Sequence, residues 1–226
     1  MSTFGSKSVK LTYFGIEGAA EKVRLAMKMA GIPFEDVRIA FQDWPAMKPN
    51  MPNQQLPILE IDGSEPITQS AAMAKWAARQ HPTLYSGDAD RLFVIDQIIH
   101  MLDDDLREFQ PALYMGMRPA KFGRADDFAK TEEGEALVKS MRSNYVENDL
   151  PKAMTLLTAQ LKKSGGPFLL GAEITLADLF WLPRLRYLQS GICDHVPADC
   201  LDHFPEILAY KQALMGDPTI AKHYTK

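Results

Sequence analysis

The stretch Gln55-Leu56-Pro57-Ile58-Leu59-Glu60-Ile61-Asp62-Gly63, followed closely by Gln69-Ser70, decides the fold. Ile58 to Ile61 is a short apolar run, and the proline ahead of it supplies no backbone donor. Such a residue belongs at the first position of a strand or on an edge. A cis bond before Pro57 would leave the Leu56 amide and carbonyl free to pair with an extended peptide. Asp62-Gly63 is a tight-turn signal, and Pro66-Ile67-Thr68 reads as a short returning strand, so a hairpin is expected. Gln69-Ser70 then opens a helix running to Gln80. Its unpaired N–H groups and the serine hydroxyl suit a carboxylate. These pieces outline a site for a small peptide with a free carboxylate.

Upstream, Val9 to Phe14 alternates and is rich in β-formers, which predicts a strand ending near Tyr13. Gly15 to Gly18 is a turn, and Ala19 to Ala30 carries apolar residues at helical spacing until Gly31 stops it. Phe34 to Ile39 reads as a second strand, parallel to the first. Pro45, Pro49 and Pro52 forbid a long regular helix between Gln42 and Gln54. The order is therefore βαβ then ββα, an α/β unit. The spacing places this unit at residues 1–82 and a linker, with Pro82 and Gly87, at 83–90. Residues 91–226 form an all-α domain. Its longest pattern is Arg91 to Tyr114, and Pro151 marks a bend or restart within Ala136 to Lys163.

Composition narrows the function. The chain has 226 residues, 46% hydrophobic and 24% charged, and a net charge of −4, which gives no footprint for nucleic acid. No apolar stretch is long enough for a membrane span, and no leader pattern opens the chain, so a cytoplasmic location is expected. Cys193 and Cys200 fit neither a redox nor a metal spacing and read as free thiols. The five histidines show no ligand spacing, and no metal is expected. No phosphate-binding glycine motif is present.

Single residues are ambiguous alone. A tyrosine closing a strand, like Tyr13, is more often a core residue; the helix start just beyond it favours a bound anion. Trp44 covering the core and Lys48 in solvent is the plainer reading of that pair, but with Gln55 and Ser70 they make polar walls for a charged peptide. Asp103-Asp104-Asp105 falls mid-helix, where three acids usually mark a solvated face. Thr175-Leu176-Ala177-Asp178 is a capping box that needs no functional reading.

Taken in order, Leu11-Thr12-Tyr13-Phe14, Ala20 to Leu25, Phe41 to Pro45, Gln55-Leu56-Pro57, Gln69-Ser70 and Thr175 to Asp178 resemble the cytosolic glutathione S-transferases, closest to the sigma-type enzymes. The resemblance covers nearly the whole chain. It implies a thioredoxin-like domain, an all-helical domain, and glutathione as co-substrate. It implies Tyr13 as the catalytic tyrosine, with glutathione held by Tyr13, Trp44, Lys48, Gln55, Leu56, Pro57, Gln69 and Ser70. It also implies a homodimer in which Asp104 reaches towards the γ-glutamyl amine across the interface. A hydrophobic electrophile would sit against Phe14, Met101, Tyr114 and Met115. A glutathione-dependent isomerase, or a non-catalytic carrier or crystallin-like member, are the alternatives. One departure stands out: Gly18-Ala19 replaces the Gly-Arg pair usual in sigma-type members.

Overall fold

The structure, a computed structural model, describes residues 7–225. Strand β1 (Val9–Phe14) lies between β2 (Glu35–Ile39), which pairs parallel, and β3 (Ile58–Ile61), which pairs antiparallel. Helix α1 (Glu21–Met29) makes the parallel crossover. β1 is buried on both faces, and this explains why its apolar residues run nearly unbroken. The expected hairpin shrinks to one antiparallel bridge, Leu59 to Ile67, with reciprocal N–H···O distances of 2.9 and 2.8 Å. Helix α3 (Ser70–Ala78) closes this half and packs on α1.

Between β2 and β3 the proline-rich segment forms a four-residue helix, α2 (Trp44–Met47), and two 3-10 turns. Residues 83–88 are anchored: Leu84 is fully buried, and its carbonyl accepts the Leu176 N–H at 2.7 Å. Helix α4 (Ala89–Met117) is capped by Asp88, whose carboxylate accepts the Arg91 N–H at 2.9 Å. Helices α5 (Glu132–Asn144) and α6 (Leu150–Ser164) are joined by a π turn over Tyr145–Asp149. Pro151 sits in the first turn of α6, where its missing N–H breaks no bond. Helices α7 (Leu176–Leu188), α8 (Pro205–Met215) and α9 (Pro218–Tyr224) complete the described chain. One continuous apolar core runs from β1 and α1 through α4 and α6 to α7 and α8.

Two polar networks sit inside it. The Asp178 carboxylate accepts from the Thr175 N–H (2.7 Å) and hydroxyl (2.8 Å), from the Leu169 N–H (3.0 Å) and from the Tyr210 hydroxyl (3.0 Å). The capping box thus also ties α7 to the preceding loop and to α8. The acidic run on α4 is not a uniform solvated face. Asp103 and Asp104 are exposed and pair with His100 and Arg107, but Asp105 is buried. It accepts from Arg184 Nε at 2.7 Å and from the Tyr145 hydroxyl at 2.6 Å. Successive helical side chains point about 100° apart, so the third acid turns inward where the first two face out. Both cysteines are free, and burial pushes the Cys200 thiol up to about 11.

Candidate active site

The site grows from the end of β1. After Tyr13 the chain turns back through Gly15 to Gly18, makes a 3-10 turn over Gly18–Ala20, and enters α1. Gly18 has φ +44°, and a β-carbon there would lie 2.7 Å from the Tyr13 hydroxyl. Glycine is needed on both counts. The next amide, Ala19 N–H, donates to the Tyr13 oxygen at 3.1 Å.

Arg24 holds this turn in place. Its side chain is fully buried and donates to the carbonyls of Phe14 (3.3 Å), Ile16 (2.8 Å) and Glu17 (3.4 Å). It also pairs with Glu21 (3.1 Å) and Asp36 (3.0 Å). From the helical half, Arg186 donates to Glu17 at 2.8 Å and lies 3.6 Å from the centre of the Tyr224 ring. His223 pairs with Glu21. Helices α7 and α9 therefore brace the turn that positions Tyr13.

The Tyr13 ring is buried, which raises its hydroxyl above the ordinary phenol range. The Ala19 N–H, then Arg24 and Arg118, act the other way, while Tyr114 adds to the rise. The phenol is neutral at physiological pH and can donate. Lys22, the second residue of α1, donates to the Ala19 carbonyl at 3.0 Å and lies 5.2 Å from the Phe180 ring centre. Burial lowers its ammonium to about 8, against an opposing contribution from Asp103.

Around Tyr13 the aromatic side chains cluster. Phe14 stacks on Phe41 at 4.5 Å and meets the Trp44 ring edge-on at 5.8 Å. Lys48 is exposed in the 3-10 turn after α2. Gln55 is exposed, Leu56 half-buried, and the Leu56–Pro57 bond is cis. Asn53 donates to the Thr68 hydroxyl at 3.4 Å, linking this segment to the start of α3. Gln69 there has φ +75°, an unusual value for a residue with a side chain. No side chain caps α3, so no side chain satisfies the first N–H groups of this helix.

The sequence-derived residues are not all on one surface. Tyr13, Phe14 and Trp44 are neighbours, and Tyr114 lies close enough to act on the Tyr13 hydroxyl. Met101 is half-buried against the main core. Met115 is buried in a separate cluster with Phe128 and Val138, between α4 and the segment leading into α5. Adjacent residues on a helix face different directions, so with Tyr114 turned to Tyr13, Met115 turns away. Asp104 is 72% exposed and pairs with Arg107 of the same helix at 3.1 Å. The sequence reading named Gly18 as part of the turn after Tyr13 but gave no role to the Ala19 amide, Arg24 or Arg118. An arginine inside the run Val23-Arg24-Leu25-Ala26-Met27 was the visible signal for one of them. Two surface clefts of about 290 and 580 Å³ lie elsewhere, and none of the candidate residues lines them.

The N-terminal domain of the glutathione S-transferases matches residues 9–79, and their C-terminal domain matches residues 126–226. Glutathione S-transferase 1 of Ascaris suum is 35% identical over 82% of this chain and 82% of its own. The chain belongs to the glutathione S-transferase family. The class-mu 28 kDa isozyme of Schistosoma japonicum is 30% identical over 96% of this chain and 97% of its own. Among solved structures, a Caenorhabditis elegans glutathione S-transferase superposes with a TM-score of 0.78, at 29% identity, covering 98% of each chain. Among the described residues, no helix is long and apolar enough to cross a membrane.

Proposed function

We propose that this transferase conjugates the glutathione thiolate to hydrophobic electrophiles, with the Tyr13 hydroxyl donating to the sulfur. The observation that carries this reading is the neutral, buried Tyr13 phenol whose oxygen already accepts the Ala19 N–H at the mouth of α1. A hydroxyl polarised in this way, beside a helix start, favours an anion at the sulfur position. A free thiol titrates near 8.5. Lowering it by about two units takes ~2.7 kcal/mol of differential stabilisation. One charge-assisted hydrogen bond and the helix N-terminus are together of that size.

In this reading the glycyl carboxylate and peptide groups meet Trp44, Lys48, Gln55 and the Leu56 backbone beside Pro57, and the γ-glutamyl end meets Gln69 and Ser70. A sigma-type homodimer, in which Asp104 reaches the partner's glutathione, is part of the same proposal. The 1–82 and 91–226 units would then bracket the electrophile, against Phe14, Met101 and Tyr114. With an aryl chloride, the thiol proton leaves to solvent and a carbon–sulfur bond forms. The carbon–chlorine bond then breaks, and chloride departs with the electron pair.

The test is Tyr13→Phe. Retention on immobilised glutathione should persist, while the conjugation rate falls roughly a hundredfold, the cost of one lost donor to a developing or resident anion. Unchanged turnover removes Tyr13 from the chemistry.

A further inference from the structure

Residues 110–124 contain three cations, Arg118, Lys121 and Arg124, and no acid, within a chain whose net charge is −4. They occupy the end of α4 and the 3-10 turn over Pro119–Phe122. Two of them converge on one ring. Arg118 Cζ lies 5.9 Å and Lys121 Nζ 4.5 Å from the Tyr114 ring centre. Each contact keeps a cation against an aromatic face, at little cost to its charge. Among the described residues neither Arg118 nor Lys121 has a carboxylate partner, although nearby Arg124 and Arg107 do. Both side chains are exposed, and Met117 and Phe122 beside them are 58% and 41% exposed. The patch is apolar with a cationic edge.

Its position gives it a role. Tyr114 and Arg118 both lie close enough to Tyr13 to act on its hydroxyl. A second substrate reacting at a sulfur held by Tyr13 would lie across this end of α4. We infer that Arg118 and Lys121 are specificity-determining residues that select electrophiles carrying an anionic group, a carboxylate above all, beside an apolar body. The inference rests on the conjugation reading above and names the substrate class for the same site. A guanidinium and an ammonium without counter-ions form a ready receptor for a carboxylate. Exposure limits the gain from each charge to a modest factor and makes it sensitive to salt.

The experiment compares chlorodinitrobenzene with its ring carboxylate, chlorodinitrobenzoate, at saturating glutathione. Each kcat/KM is divided by the uncatalysed rate constant of the same compound with glutathione, which removes intrinsic reactivity. The expected ratio favours the benzoate by about fivefold or more at low salt, and raised salt should compress it. In Arg118→Gln/Lys121→Gln the ratio should fall to about one, mainly through KM for the benzoate. A ratio of one or below in the unsubstituted protein, or a ratio unmoved in the double variant, overturns the inference. Turnover of neither compound would instead overturn the conjugation reading, so the two failures are distinguishable.

Discussion

Replacing Gly18 by alanine separates two costs that usually arrive together. The first is conformational. Gly18 has φ +44°, and a side chain in that region costs roughly 1–2 kcal/mol. The second is contact. The new β-carbon would stand 2.7 Å from the Tyr13 hydroxyl and 3.0 Å from the ring carbon beside it. Relief requires a shift of several tenths of an ångström from a tyrosine ring that is buried and packed edge-on against Phe14. A misplacement approaching 1 Å at a reacting group costs up to about a hundredfold in rate. Gly18→Ala should therefore lower the melting temperature by about 3–8 °C and the conjugation rate by roughly 10- to 100-fold. Gly165→Ala is the control: it has φ +68° with no atom within 4 Å of its β-carbon, so it carries the strain without the contact. Its melting temperature should drop similarly, with turnover retained. In a Tyr13→Phe background the worst contact disappears, so the stability cost of Gly18→Ala should shrink towards that of Gly165→Ala. Equal kinetic effects from the two alanines, or strictly additive stability costs in the double variant, would refute the reasoning.

Lys22 offers a pH test. Its folded-state value of about 8 lies below the ordinary 10.5, so the folded chain binds fewer protons than the unfolded chain between those limits. The ammonium therefore penalises folding fully below pH 8, and the penalty fades as pH rises from 8 to 10.5. Lys22→Met should raise the melting temperature at pH 7 by an amount worth ~1–3 kcal/mol, and the advantage should narrow by pH 10. Arg184→Met leaves Asp105 buried with only Tyr145, a loss of ~3–5 kcal/mol, and melting of Arg184→Met/Asp105→Leu should recover much of it. If the proposed homodimer forms, Asp104→Ala should raise the KM for glutathione severalfold with little change in melting temperature, because its described partner is the exposed Arg107; an unchanged KM rules out the proposed contact across subunits.

The sequence announced whatever local chemistry decides. Pro57 at the head of an apolar run, the three prolines of the α2 segment and the Thr175–Asp178 box each act within a few residues, and each appears where expected. Strand order follows from the βαβ pattern, whose parallel pairing has few alternatives. Other features depend on distant partners and were illegible. Nothing local distinguishes Asp105 from Asp104 until Arg184 comes from 79 residues away. That Tyr114 turns towards Tyr13 while Met115 packs against Phe128 and Val138 is fixed by the rotation of α4 against its neighbours rather than by either residue's type. The missing arginine at position 19 drew attention to the right turn, but a backbone amide, which every sequence contains, makes the contact to Tyr13.

The bracing of the Tyr13 turn also sets an order of events in synthesis. Glu17 and Glu21 find their partners Arg186 and His223 only after 169 and 202 further residues. At about 5–20 residues per second, that is a delay of roughly 10–40 s during which β1, α1 and β2 can already have formed. Contacts this remote in sequence are among the last to close. A ribosome-bound chain ending before α7 would carry the sheet and Tyr13 but not the outer supports of its turn, leaving Arg24 to hold the turn by itself. Competence would thus arrive late, with the far end of the chain, and a stalled fragment would be a folded but unready half.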